Sequence, residues 1–354
     1  MVNLLLTLPI TALFIANGFG QLYYGIKLKK QFSKQHNLHN TVFAMCLWIT
    51  AGILYPFYYS TYNQQIAWFQ AVSLFFIVFV TPLIIFLILF YQYLLVKKNP
   101  EIKQKRNINI FLDEYDRRNE GKEYTYKTDL HRKALHLFPA TVIMFILIFA
   151  IYMWDGMWNQ NIVWGISGED YGRFLMLTAG FSGIIIFAAL DYVRLSYIFK
   201  KSTIYHLLPD NVEELLGKAM KRREIFEFTK PASLVLAMAP TFIFPFGVFS
   251  AAALIATLGD GAASVIGMRF GKKHFPKNSS KTIMGYIGGF LASFGISIPC
   301  LLIFDAHLGI SKILIIAFAG ACVFFIVDLL NLDIDDNMLN PILCGSVMAF
   351  IYFL

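Results

Sequence analysis

The chain is a succession of apolar runs, each close to the length of a bilayer crossing and separated by charged connections. A helix needs about 20 apolar residues to cross the hydrocarbon core, because in lipid the backbone must satisfy its own hydrogen bonds. The runs predict an all-α, polytopic integral membrane protein with about ten transmembrane helices, near 4–26, 40–60, 66–96, 134–154, 172–193, 231–247, 249–268, 283–304, 310–328 and 338–354. The first, "LLLTLPITALFIANGFG", has no basic residue before it and no clear small-residue cleavage site, so it reads as a true span rather than a signal peptide. The pair flanking "FPFG" (Phe244–Gly247) reads as two spans or as one broken or re-entrant element. Composition agrees: 57% of residues are hydrophobic and 15% charged, with mean hydropathy +0.60, whereas soluble domains carry about a quarter charged residues.

Charge orients the spans. Alternating connections at 27–39, 97–133, 194–230 and 269–281 hold four, eleven, eight and five Lys and Arg residues. Of the 30 in the chain, only Arg173 and Lys312 fall on the other side. The positive-inside rule then makes the basic face cytoplasmic and puts both termini outside. The net charge of +8 reflects this sidedness, and no nucleic-acid partner is expected. A fifth connection on the same face, "DLLNLDIDDN" (328–337), carries four aspartates and no basic residue. A site that takes a cation and a polyanion together needs both signs of charge on one face. Cys46, Cys300, Cys322 and Cys344 lie in apolar runs and suggest neither disulfides nor a zinc site. The chain divides into a three-span extension (1–96), a charged cytoplasmic loop (97–129) and a seven-span body (130–354).

Several segments carry candidate chemistry. In "TLGDGAASVIGMRFG" (257–271), Asp260, Ala263, Gly267 and Gly271 share a helical face. Close helix packing accounts for the small residues. It does not account for Asp260, since a carboxylate at membrane depth faces a polar cavity, a partner charge or an ion. The following "KKHFPKNSSKTIMG" places Lys281 and Thr282 just before the next span, where backbone N–H groups and an ammonium favour phosphate oxygens. An ordinary basic loop is the plain alternative. "HRKALH" (131–136) puts Arg132, Lys133 and His136 on one face at the start of the fourth span; a membrane boundary explains the two cations, and histidine has the pKa for base catalysis. Asp191 and Arg194, three apart, form either a local ion pair or part of a site. "KRREIFEFTKP" (221–231), with Glu224 and Glu227, reads most simply as an interfacial basic helix. Asp335, Asp336 and Asn337 form an oxygen-rich cluster suited to Mg2+ or to capping a helix.

In this order the motifs resemble the CTP-dependent polyprenol kinase family: dolichol kinase, phytol and farnesol kinases and CTP-dependent diacylglycerol kinase, distant relatives of phosphatidate cytidylyltransferase. Arg132-Lys133-Ala134-Leu135-His136 resembles the family's R-K-x-x-H, and Asp191-Tyr192-Val193-Arg194 its acidic-x-x-Arg. Asp260 to Gly271 followed by Lys281-Thr282 resembles D-x-x-A-x-x-x-G-x-x-x-G and K-[TS]-x-E-G, and Asp336 to Pro341 resembles D-N-x-x-x-P. Met284 stands where the family has glutamate, and the first three spans lie outside the shared core.

The resemblance implies transfer of the γ-phosphoryl of CTP to a lipid alcohol. Asp260, Asp335 and Asp336 are then candidates for Mg2+, and Asp260, His136 and Asp336 for catalysis. Arg132, Lys133, Asp191, Arg194, Gly267, Gly271, Lys281, Thr282 and Asn337 are candidates for the nucleotide. The alcohol could be dolichol, a shorter polyprenol, phytol or diacylglycerol. The site would face the cytoplasm, in the endoplasmic reticulum of a eukaryote or the cytoplasmic membrane of a prokaryote. Cytidylyl transfer to a phospholipid is the nearest alternative. A transporter using Asp260 as an ion site is another, disfavoured by the absence of an obvious inverted repeat.

Overall fold

In a computed structural model, residues 4–58, 64–99, 101, 112, 113, 115–117, 126–200, 222–276, 279, 281–330 and 332–354 are described. Most of the 97–129 loop therefore lies outside the described residues. Helices dominate, and the one β-type pairing among the described residues is an isolated bridge between His274 and Thr282.

Two antiparallel helices, α1 (Leu4–Gln31) and α2 (Leu38–Leu54), open the chain. Next, α3 (Gln64–Leu74) runs through a π-helical stretch into α4 (Thr81–Lys98). α5 (Tyr126–Ile148) also ends in a π-helical stretch, and a short α6 (Gln160–Trp164) leads to the long α7 (Gly168–Lys200). A 3-10 segment, Arg222–Phe226, precedes α8 (Lys230–Met238). α9 (Phe246–Leu254) passes through the π-helical turn Ile255–Gly259 into α10 (Asp260–Phe270). Last come α11 (Ile283–Phe304), α12 (Ile310–Leu330) and α13 (Asp336–Phe353).

The protein is a multi-pass membrane protein by the character of these helices: among the described residues, seven are long and apolar enough to cross a bilayer, from Leu38–Phe57 to Ile310–Leu330. Beside them stand α1, α13 and the shorter apolar stretch Ala232–Ile243. At "FPFG" the chain breaks. A 3-10 turn, Pro240–Ile243, ends at Phe244 in extended conformation, and α9 starts afresh after Pro245. Proline lacks the N–H that a continuing helix needs. Asp305, at the end of α11, accepts a 2.9 Å hydrogen bond from Gly247 N in the first turn of α9. Nearby, the buried Arg173 donates to the carbonyls of Tyr58 (3.1 Å) and Phe242 (2.9 Å) and pairs with Glu169 at 2.8 Å. These buried polar groups tie together the ends of α2, α7, α9 and α11 at one end of the bundle. Lys230, which begins α8, belongs to the opposite end, so Lys230–Ile243 traverses most of the bundle in one pass.

Lipid tails are as apolar as leucine, so helices associate through close packing rather than through exclusion from water. One core joins Ile10, Phe14 and Trp48 of the first helices to Phe181, Phe242 and Phe249 of the body. A second holds α9, α11, α12 and α13 together through Val248, Leu301, Ile316 and Met348. The helical pairing nearest the charged end needs glycine. A Cβ on Gly267 would come within 3.0 Å of Thr282 Oγ1, and one on Gly271 within 2.3 Å of the same atom. These two glycines let α10 lie against the start of α11.

Candidate functional site

Three helices that start at the charged end are capped by side chains of the preceding connection. Asn37 accepts from His39 N (3.0 Å), Thr282 from Gly285 N (3.2 Å) and Asp335 from Asn337 N (3.0 Å). Each satisfies a donor that the first helical turn cannot, worth about 1 kcal/mol. The caps fix where the neighbouring charged residues stand.

Around them, residues far apart in sequence meet. Lys133 of α5 forms an ion pair with Asp260, the first residue of α10. Lys281 lies 2.5 Å from Asp328 Oδ1 at the end of α12. Lys230 reaches Asp335 at 3.2 Å and Glu224 at 3.5 Å. Asp336 lies within electrostatic reach of Asp260, Asp335, Lys133 and Lys281. Burial, with the negative charges of Asp260 and Asp335, pushes its carboxyl up to about 6. Burial pulls Asp335 the same way, but Lys230 and the Asn337 donors outweigh it and hold Asp335 at about 2. Lys281 is held above the usual lysine value: burial opposes this, and the Asp328 carboxylate prevails.

A polar cavity of about 380 Å³ opens at this cluster, lined by Lys230, Lys281, Asp335, Asp336, Asn37 and Asn40 among others. A second cavity of about 430 Å³ lies between α5, α7 and α8. It is walled by apolar residues such as Pro139, Ile143, Ile184 and Phe242, and Gly180 and Gly183 face it with open space where a Cβ would stand. At its polar end are Glu224, Thr229 and Lys230. Glu224 and Lys230 line both cavities.

The segment carrying Glu224 is held by the Asp191–Arg194 pair. Asp191 and Arg194 are 2.8 Å apart and buried. Asp191 accepts from Thr229 N (2.9 Å) and Thr229 Oγ1 (2.6 Å). The Arg194 guanidinium donates to the carbonyls of Glu224 (3.4 Å), Ile225 and Glu227. Four backbone groups of one short segment are thus fixed by two side chains of α7. The Arg194 guanidinium, a candidate for the nucleotide from sequence, thus pairs with Asp191 and turns to the backbone of this segment.

The other sequence candidates fall as follows. Lys133, Asp260, Lys281, Asp335, Asp336 and Asn337 gather at the charged end. Asn337 donates to Asp335 at 2.8 Å. Thr282 caps α11, and Gly267 and Gly271 pack against it. Met284 is exposed in the first turn of α11. Arg132 and His136 lie on α5, with side chains outside the described residues. Sequence reasoning counted Asp328 among the four aspartates of its connection without giving it a role, and passed over Lys230, Asn37 and Asn40. Asp328 carried a signal, a lone carboxylate at the end of an apolar run. Lys230 and the asparagines carried none, since their place depends on which connections meet. Among the described residues, no three His, Cys, Asp or Glu side chains cluster as a ready metal site. Comparison with protein-family models, with curated proteins and with solved structures finds no match.

Proposed function

We propose that the protein is a CTP-dependent lipid kinase that transfers the γ-phosphoryl group to the hydroxyl of a membrane polyisoprenoid alcohol, dolichol or another polyprenol, releasing CDP. The observation that carries this reading is the junction of a charged cavity and an apolar one at Glu224 and Lys230. A reaction between a water-soluble polyanion and a bilayer-bound alcohol needs such a junction, because neither reactant can cross into the other's medium cheaply. CTP as the donor rests on the motif resemblance.

In this reading the chain makes ten crossings, with both termini on the outer face and the charged cavity facing the cytoplasm. Lys230–Ile243 would be the shortest crossing, about 20 Å by helical rise. Lys281 and Lys230 would hold phosphate oxygens. Lys133 would keep Asp260 oriented, and Arg194 would act through the segment it brackets. The residues fit Mg2+, which binds through one or two carboxylates together with substrate phosphates. Asp336, with burial and two acidic neighbours raising its carboxyl, gains from a cation, and Asp260 beside it would share that cation. Asp335 is committed to Lys230 and Asn337. When bound, Mg2+ would offset the negative charge of the phosphates. The isoprenoid chain would enter the apolar cavity past Phe138, which is exposed at its edge.

The test is product analysis. Purified protein in nanodiscs, given labelled CTP, Mg2+ and a panel of dolichol, shorter polyprenol, phytol and diacylglycerol, should yield a lipid phosphate and CDP. CDP-lipid with pyrophosphate would instead make it a cytidylyltransferase. Turnover of none of the panel would overturn the kinase reading.

A further inference from the structure

We propose that Glu224 orients the acceptor hydroxyl and takes its proton, at the point where the two cavities meet. The inference rests on the lipid-kinase reading and adds to it the base. Of the carboxylates at the charged end, Glu224 alone among the described residues lines both cavities. Glu227, Asp333, Asp335 and Asp336 line the polar one alone, and Asp260 lines neither.

Position supports the role. An alcohol whose chain fills the apolar cavity brings its hydroxyl to the end formed by Glu224, Thr229 and Lys230. A nucleoside triphosphate in the polar cavity brings its terminal phosphate to Glu224 and Lys230 from the other side. The carboxylate stands on a segment fixed through its backbone, since Arg194 holds the carbonyls of Glu224, Ile225 and Glu227 and Asp191 holds Thr229. Those bonds run to the backbone on either side of the side chain, so the bracket places the Glu224 carboxylate through its own main chain. A catalytic group needs this kind of support, because a small displacement of a positioned base is costly in rate.

The step balances with the reactants named. The alcohol O–H bond breaks and its proton passes to the Glu224 carboxylate. The oxygen lone pair forms the new O–P bond. The bond from the terminal phosphorus to the bridging oxygen breaks, and its electron pair leaves on the nucleoside diphosphate. Lys230, 3.5 Å from Glu224, places a positive charge beside the oxygens among which negative charge shifts.

The experiment compares wild type with Glu224→Gln in nanodiscs, measuring lipid phosphate formation and, separately, binding of a non-hydrolysable CTP analogue. The variant should lose at least about 100-fold in kcat while binding the analogue within threefold of wild type. Turnover within threefold of an active wild type would overturn the role of Glu224 and leave the kinase reading standing. A wild type that phosphorylates no alcohol in the panel would overturn the kinase reading itself. Where Glu224→Gln does not fold, Glu224→Asp decides: a carboxylate one methylene short should lose about tenfold or more, and full turnover would overturn the role.

Discussion

The Lys281 ammonium lies 2.5 Å from Asp328 Oδ1 and 3.0 Å from the Asp328 carbonyl oxygen. One cation therefore answers both a buried carboxylate and a carbonyl in the last turn of α12, where the helix leaves its acceptors without intrahelical donors. The same lysine lines the polar cavity. Structural and functional demands on it can be separated by a paired substitution. Lys281→Met alone strands the Asp328 carboxylate and should cost about 1–3 kcal/mol, read as a lower melting temperature in detergent. Lys281→Met with Asp328→Leu removes both charges and should regain most of that stability. Lipid phosphorylation should stay lost in the double variant. If activity returns with stability, Lys281 is a helix clamp and no more.

The connection between α1 and α2 also bears on the site. Asn40 Oδ1 accepts from Asp335 N at 2.8 Å, and Asn37 Nδ2 donates to the Asp333 carbonyl at 2.5 Å. The first two helices thus hold the acidic connection that presents Asp335 and Asp336. Asn40→Ala leaves the Asp335 N–H without that acceptor and frees the connection to shift. The expected outcome is a several-fold weaker apparent affinity for the nucleotide, with the apparent affinity for the lipid alcohol unchanged. Equal weakening for both substrates would mean that the substitution acts on the fold as a whole.

The apolar runs alone predicted the helices, because lipid leaves the backbone few options and the period of burial needs no partner to be read. The start of α13 was legible too, through the Asp335–Asn337 cluster, whereas Thr282 drew notice as a phosphate candidate and proved to cap α11. The site was legible where a charge stood out against its surroundings. Asp260 in an alanine-rich run and the aspartates at 333–336 announced themselves, and they do gather. Arg194 did not announce that it would turn to the carbonyls of residues 30 or more positions away, since the spacing to Asp191 suits a site and a bracket equally. Lys230 looked like the end of a basic connection. Its importance comes from the meeting of two cavities, a property of packing that no local pattern encodes. The role of the first helices was hidden for the same reason: Asn37 and Asn40 matter because of the connection they touch.

A buried histidine gives the same region a pH dependence. His36, between α1 and α2, bonds to the Phe226 carbonyl at 3.0 Å and to Thr41 Oγ1 at 2.9 Å. Burial lowers its pKa, Lys29 adds to the effect, and the Phe226 carbonyl opposes it. The folded protein thus holds the ring neutral at pH values where an unfolded chain would protonate it. The sign follows: stability is full above about 6.5, the unfolded value, and falls as pH drops beneath it, because the unfolded state takes up the proton more readily. Melting temperatures from pH 8 to pH 5 should fall more steeply for wild type than for His36→Gln. Parallel profiles would show that His36 titrates alike in both states.

The apolar cavity offers a test that leaves the charged end untouched. Gly180 and Gly183 lie one helical turn apart on α7, and among the described residues no atom beyond the local helix backbone stands within 4 Å of where a Cβ would be placed at either. Both face the cavity. A leucine at either position can therefore enter without moving backbone, and it replaces volume that the isoprenoid chain would occupy. Glycine in a helix interior costs about 1 kcal/mol relative to other residues, so Gly180→Leu and Gly183→Leu should melt no lower than wild type. Each should raise the KM for a long polyprenol about tenfold or more while leaving the KM for CTP within twofold. A shorter alcohol should be affected less, because less of its chain needs the filled space. An unchanged KM for every alcohol would show that the chain binds elsewhere on the bundle, and the junction at Glu224 and Lys230 would then lose its meaning as a meeting point of the two substrates.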